Sequence, residues 1–370
     1  MVQATHGGNL DATARRLGCK PDQLLDASAS LVPFSLPVYL RSAVRHAAIK
    51  PYPDRGAVQL RRSLAALHSL EPSAVLPGNG ASELFTWAAR DAAELGVSLL
   101  PQPGFADYER ALSCWGGRWA SLPLASRWSS AGPAPFVSVN AADASVVWIT
   151  NPHNPTGQLW GRESLLPLLG RFALVICDEA FLPLVPDGES QSLIPFVERH
   201  PNLIVVRSLT KLYGIAGLRL GYAIAHPQRL LRWSQWRDPW PVNAVAAAVG
   251  EALLRRPARY QAWLQRVQRW TALEGSWLHQ RLAALSGITS MPSAANYLLI
   301  RGERNGEPYS LQPLREALET RHRILLRDCR SFEGLDETWL RIGYQSRRGN
   351  RRIIRAMRQE LSSINNPANN

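Results

Sequence analysis

Lysine is scarce in this chain. Only Lys20, Lys50 and Lys211 occur among 42 basic residues, and the rest are arginine. Arginine stays protonated and cannot act as an amine nucleophile, whereas a lysine can shed its proton and condense with a carbonyl. Lys211 sits in Ser208-Leu209-Thr210-Lys211, with Arg219 on the glycine-rich stretch that follows. A lone lysine between small hydroxyl residues suggests covalent cofactor chemistry. A surface lysine in a glycine-rich turn is the plain alternative, and the stretch alone leaves both open.

Other stretches offer groups that such chemistry needs. Val75-Leu76-Pro77-Gly78-Asn79-Gly80-Ala81-Ser82-Glu83-Leu84-Phe85 reads as a glycine-rich turn opening a helix, with Ser82 and Glu83 as start signals. The free N–H groups and dipole of a helix start suit a phosphate. The stretch lacks the lysine of a Walker loop and the glycine spacing of a dinucleotide fingerprint, so cradle and plain turn are equally open. Tyr108 follows a short strand, where ligands bind in α/β sheets, with ordinary packing as the plain alternative. Asn151-Pro152-His153-Asn154-Pro155-Thr156-Gly157 makes a rigid turn that fixes side chains at a strand end. Asp178 closes another apolar run. In His6-Gly7-Gly8-Asn9 the glycine pair would let backbone approach a ligand closely, but composition alone favours the plainer alternative of a mobile terminus.

The elements that must position these groups read as α/β. Strands are expected at Val97–Leu100, Ser145–Thr150, Ala173–Cys177 and Leu203–Val206, separated by helical segments, which predicts a parallel sheet with crossover helices. Three consecutive strand ends then carry Asn154, Asp178 and Lys211 along one edge. The Pro/Ala/Ser-rich run Leu122–Pro135 reads as surface loop. After Pro241 the texture changes to amphipathic helices over 243–285, then short strands bearing Arg327 and Arg341. The expected division is an N-terminal segment 1–49 packing on the small domain and the site, a large domain 50–242, and a small α+β domain 243–370.

With 370 residues, 46% hydrophobic and 19% charged, the chain fits a folded two-domain protein. The absence of a membrane-length apolar run or a signal-peptide core predicts no membrane and a cytoplasmic location. Cys19, Cys114, Cys177 and Cys329 lack metal-type spacing and read as reduced thiols. The net charge of +13 raises the question of nucleic acid, but the arginines are spread along helices without an interleaved aromatic motif. The reading is arginine-biased composition with some steering of anionic ligands.

Pyridoxal phosphate needs a lysine for its aldehyde, a carboxylate for its pyridine nitrogen, a phosphate cradle and a stacking aromatic. The run from Asn151-Pro152-His153-Asn154-Pro155-Thr156-Gly157 through Asp178-Glu179-Ala180-Phe181 to Ser208-Leu209-Thr210-Lys211 and Arg219 resembles the fold-type I pyridoxal-phosphate enzymes of the aspartate aminotransferase superfamily. Within it, five stretches make the chain most similar to the threonine-phosphate decarboxylase family of the cobalamin pathway. They are His6-Gly7-Gly8-Asn9, Gly78–Glu83, Arg207–Tyr213, Pro239-Trp240-Pro241-Val242-Asn243 and Leu326-Arg327-Asp328-Cys329. The histidinol-phosphate aminotransferases are the near alternative.

The resemblance implies a mainly parallel sheet flanked by helices, a smaller α+β domain, pyridoxal 5'-phosphate and a homodimer with shared sites. It implies that Lys211 forms the Schiff base, Asp178 pairs with the ring nitrogen, Asn154 bonds the phenolic oxygen and Tyr108 stacks on the ring. The phosphate would fall to Gly80, Ala81, Ser82, Ser208, Thr210 and Arg219, with Tyr52 reaching across from the other subunit. His6, Gly8, Asn154, Arg327 and Arg341 would bind a phosphorylated amino-acid substrate, Arg341 taking its carboxylate. The implied reaction is decarboxylation of O-phospho-L-threonine. Aminotransferases usually carry tyrosine where Phe181 stands. Val32-Pro33-Phe34-Ser35 also departs from the decarboxylase pattern of Asn-Pro-Leu-Gly.

Overall fold

The computed structural model describes residues 7–139 and 143–365. His6 lies outside them. In chain order the strands are β1 (Leu25–Ala27), β2 (Val75–Asn79), β3 (Val97–Gln102), β4 (Trp119–Pro123), β5 (Pro133–Ala134), β6 (Ala144–Thr150), β7 (Leu159–Trp160), β8 (Leu174–Asp178), β9 (Leu203–Ser208), β10 (Leu220–Ala225), β11 (Ile288–Ser290), β12 (Tyr297–Arg304), β13 (Glu307–Pro308), β14 (Ile324–Asp328) and β15 (Trp339–Gly343).

Seven of them form one sheet in the order β2-β10-β9-β8-β6-β3-β4. Only β10 runs against its neighbours; the pairs β9/β8, β8/β6, β6/β3 and β3/β4 are parallel. Strand alternation explains the continuous apolar runs. Val147, Ile149, Val175, Cys177 and Val205 join one core, while Val146, Trp148, Leu174, Ile176, Ile204 and Val206 join another. Successive side chains thus enter opposite faces, and both faces are covered, as in parallel sheets generally.

A second sheet has the order β1-β14-β15-β12-β11, with β13 on β12. Its first strand comes from the N-terminal segment: β1 pairs in parallel with β14, and Asn296 donates to the Ser30 carbonyl at 3.1 Å. The helices Pro257–Ala283, Gln312–His322 and Arg347–Asn365 pack around this sheet.

Two local expectations are corrected. Val75–Asn79 is a strand, not part of a turn, and the helix starts directly at Gly80. Pro77 is tolerated because β2 is the edge of its sheet, where a missing N–H breaks no ladder on the outer side. Leu122–Pro135 is not simply surface loop. Trp128 donates to the Pro292 carbonyl at 2.6 Å and Arg127 pairs with Glu303 at 2.6 Å, so the run straps the large sheet to the second one.

Gly221 on β10 shows how tightly the site's supports are packed. A Cβ there would meet the Ala81 nitrogen at 2.7 Å and the Gly80 carbonyl carbon at 2.9 Å, both backbone atoms. Gly221→Ala should therefore push the start of the helix Gly80–Leu95 off β10 and cost about 1–3 kcal/mol. Denaturant unfolding measures this; an unchanged midpoint would refute the contact.

Candidate active site

A cavity of about 360 Å³ lies between the two sheets. The parallel strands of the large sheet deliver the ends of β6, β8 and β9 to it side by side, which brings Asn154, Asp178, Ser208 and Lys211 together. From the second sheet come Arg327 and Arg341, which are direct partners across β14 and β15. The N-terminal segment adds Gly7, Ser28, Ala29 and Ser30.

At the deep end, Asp178 is buried and held by two donors. It accepts from the Tyr108 hydroxyl at 2.6 Å and from the Ala180 N–H at 2.9 Å. Burial pushes its carboxyl up to about 6, and the Tyr108 bond, the Ala180 N–H and the charge of Lys211 pull the other way. Lys211 stands on the short helix Leu209–Tyr213 with its Nζ 5.5 Å from the centre of the Phe181 ring. Burial, then the Arg341 guanidinium and more weakly Arg219, lower its ammonium to about 8, against the stabilising charge of Asp178. The result is an amine that gives up its proton well below the usual lysine range, at about 8, within the field of a carboxylate.

A second region is built for an anion. Helix Gly80–Leu95 points its first turn into the cavity through Ala81 and Ser82, and the Asn79 side chain does not cap it. Orphan N–H groups and the positive end of the dipole are thus left toward the cavity. Arg219 closes over this turn: a Cβ on Gly80, whose φ is +73°, would meet its Nη2 at 2.7 Å. Ser208 and Thr210 line the same wall, Ser208 capping the helix that carries Lys211.

A third region holds two cations on one sheet face. Arg341 is buried, donates to Asn154 Oδ1 and reaches the Ser28 carbonyl at 3.3 Å. Arg327 donates to Ser331 Oγ at 2.6 Å and lies 5.2 Å from the Phe332 ring centre. Burial and the neighbouring Arg341 hold its guanidinium down to about 10. Like charges opposite each other on neighbouring strands repel, and an anionic ligand relieves that cost. The acidic groups lining the cavity are Asp178 and Asp107, and Asp107 is ion-paired with Arg110. Lys211, Arg219, Arg327 and Arg341 outnumber them, so the cavity is electropositive.

Three of the expected site residues do not line the cavity, and a fourth, Tyr52, is expected to act in a second copy. Tyr108 does not present its ring to the cavity: it is 3% exposed, edge-on to Phe85 and Phe105 and tilted against Trp148. Its hydroxyl finds Asp178 and Thr150, the partners a buried phenol needs. Tyr52 is 77% exposed and stacked on Trp240, away from its own chain's cavity. Gly80 supports the cavity from behind Arg219 instead of lining it. Gly8, with φ +85° and its N–H on Ser28 Oγ at 3.0 Å, sits one residue from the lining Gly7. Ser28 and Ser331 escaped the sequence reading. For Ser28 a signal existed in Asp26-Ala27-Ser28, since the Asp26 carboxylate accepts from the Ser28 N–H at 2.9 Å in a local turn. Ser331 carries no signal without the fold.

The sequence profile of the family Aminotransferase class I and II matches residues 35–357. The chain is 36% identical to the threonine-phosphate decarboxylase of Salmonella typhimurium, over 98% of each chain. It is 32% identical to a histidinol-phosphate aminotransferase of Symbiobacterium thermophilum, over 85% of this chain and 84% of that one. The structure superposes on L-threonine-O-3-phosphate decarboxylase from Porphyromonas gingivalis with a TM-score of 0.78 at 25% identity, covering 90% of this chain and 98% of the other.

The lowered ammonium of Lys211 has a direct chemical readout. Treating the cofactor-free protein with a small aldehyde and a mild hydride reductant should label Lys211 with a pH midpoint near about 8. Peptide mapping by mass reads the site. Labelling confined to the exposed Lys20 and Lys50 would contradict the geometry.

Proposed function

The chain belongs to the aminotransferase class I and II family, and from that membership we propose that it is a pyridoxal-phosphate-dependent decarboxylase of O-phospho-L-threonine. The observation that carries the proposal is one electropositive cavity with an amine–carboxylate pair between two separate anion sites. The cofactor has one phosphate; the substrate has a phosphate and a carboxylate. The full-length likeness to the Salmonella enzyme supports the same reading.

The residues present fit the cofactor. The uncapped helix start at Ala81 and Ser82, with Arg219, Ser208 and Thr210, would hold its phosphate. Lys211 would hold its aldehyde carbon, Asp178 its protonated ring nitrogen and Asn154 its phenolic oxygen. Tyr108 would act from behind, through its hydrogen bond to Asp178. Bound there, pyridoxal phosphate supplies a cationic ring that accepts the electron pair left when a bond to the substrate Cα breaks.

The chain's own groups decide which bond breaks. Arg341, buried and anchored by Asn154 and Ser28, would grip the substrate carboxylate, and Arg327 with Ser331 its phosphate. Two fixed grips orient the Cα substituents, and placement of this kind selects loss of CO₂ over loss of the Cα proton. Lys211, with its ammonium near about 8, can return a proton to Cα. Phe181 lacks the hydroxyl that the aminotransferases of the superfamily usually place there. The expected product is (R)-1-aminopropan-2-yl phosphate.

The proposal extends to organisation. Residues 50–242 would hold the cofactor, 243–370 would form the small domain, and 1–49 would complete the small domain's sheet and the cavity wall. Val38, Ile49 and Tyr52 are 72%, 81% and 77% exposed, an apolar face suited to a second copy that would receive Tyr52 at its cofactor phosphate. No helix among the described residues is long and apolar enough to cross a membrane, and we place the enzyme in the cytoplasm.

O-phospho-L-threonine should release CO₂ with no 2-oxo acid acceptor present. Acceptor-dependent turnover of histidinol phosphate without CO₂ would favour the aminotransferase instead. Lys211→Ala should abolish turnover, and Arg341→Ala should lower kcat/KM by about 100-fold or more, as loss of a buried bidentate grip does. Cofactor retention should fall as pH drops through about 6, where the Asp178 carboxylate takes up its proton. Retention unchanged at pH 5 would argue against Asp178 as the nitrogen's partner.

A further inference from the structure

Directly behind the cavity lies an ion network that the proposed reaction does not use. Arg207 precedes Ser208 on β9 and is 1% exposed; Glu179 follows Asp178 and is fully buried. The Arg207 Nε donates to Glu179 Oε2 at 2.9 Å, and its Nη1 and Nη2 donate to the two Glu189 oxygens at 2.8 and 2.9 Å. Glu179 also accepts from the Leu193 N–H and the Ser192 hydroxyl, both at 2.8 Å. Its own N–H donates to the Val206 carbonyl at 2.9 Å, so the ends of β8 and β9 are tied through both backbone and side chains.

The charges matter as much as the ties. Glu179 is the next residue to Asp178, and an uncompensated carboxylate there would oppose ionisation of Asp178. The other titratable groups facing the network are His68, Tyr222, Tyr260 and Cys177, whose thiol donates to Glu179 Oε1 at 3.8 Å, all neutral: burial pushes His68 down to about 3 and both phenols and the thiol up. Facing Asp178 itself are Tyr108, Lys211, the buried thiol of Cys177 and the buried phenol of Tyr297. Arg207 is therefore the cation that balances Glu179.

We propose that Arg207 is a positioning residue for Asp178: by neutralising Glu179 from behind the sheet, it keeps the Asp178 carboxylate ionised toward the cavity. The inference rests on the pyridoxal-phosphate reading above and adds a partner shell to it. It also gives a reason for a buried Arg207–Glu179 pair, reached from the surface by the exposed Glu189; such a pair by itself contributes little to stability relative to apolar packing.

The test is a double-mutant cycle on the full chain, read by cofactor dissociation constant and by thermal melting of the cofactor-free protein. Arg207→Gln should weaken pyridoxal-phosphate binding by about tenfold or more, and the double variant Arg207→Gln/Glu179→Gln should return it to within about threefold of wild type. Rescue of binding without matching rescue of melting marks an electrostatic role that packing alone would not give. If Arg207→Gln fails to fold, Glu179→Gln decides: binding retained within about threefold supports the proposal, and a tenfold loss overturns it. A double variant as weak as Arg207→Gln, or weaker, also overturns it. A wild-type protein that binds no cofactor would instead sink the underlying reading.

Discussion

A carboxylate and an amine facing each other inside a folded protein constrain everything around them. Asp178 ends β8, and Lys211 stands on the short helix that follows the neighbouring parallel strand β9; the acid is buried and the amine half-buried, and burial shifts each toward its neutral form. The pair persists because donors surround the acid while cations crowd the amine. Tyr108 and the Ala180 N–H hold the Asp178 oxygens; Arg341 and Arg219 disfavour the Lys211 proton. Neither adjustment is available on a surface, so the pair requires the fully buried central strands that supply it.

The remaining architecture follows from the need to hold anions beside that pair. A helix start with no side-chain cap and a paired set of arginines on adjacent strands are both unfavourable in isolation. They face one cavity from opposite sheets, and β1 and the loop holding Ser28 close the side between them. The straps from Trp128 to Pro292 and Arg127 to Glu303 fix how the two sheets approach. A ligand with an anionic group at each end satisfies both regions at once, which is why the proposed chemistry involves two phosphates and a carboxylate.

Much of this was legible in the sequence. The four apolar runs that became β3, β6, β8 and β9 carry the period and composition of two-sided burial, and their order alone set Asn154, Asp178 and Lys211 on one edge. Other features were not local. β10 hides in Leu220-Gly221-Tyr222-Ala223-Ile224-Ala225, which adjoins the lysine stretch and runs antiparallel, and Pro77 masked β2 because edge position is a property of the sheet. Tyr108 lies beside the site as expected, but which side its ring turns to depends on the Phe85, Phe105 and Trp148 packing, and spacing does not encode that. The register of β14 on β15 makes Arg327 and Arg341 neighbours, and no periodicity announces it.

The most direct test of the central pair is the nitrogen-15 resonance of pyridoxal phosphate labelled at its ring nitrogen and bound to this protein at neutral pH. The ring nitrogen should be protonated in the wild type and lose that proton in Asp178→Ala. An unprotonated nitrogen in the wild type, or a resonance indifferent to the substitution, would contradict this pairing.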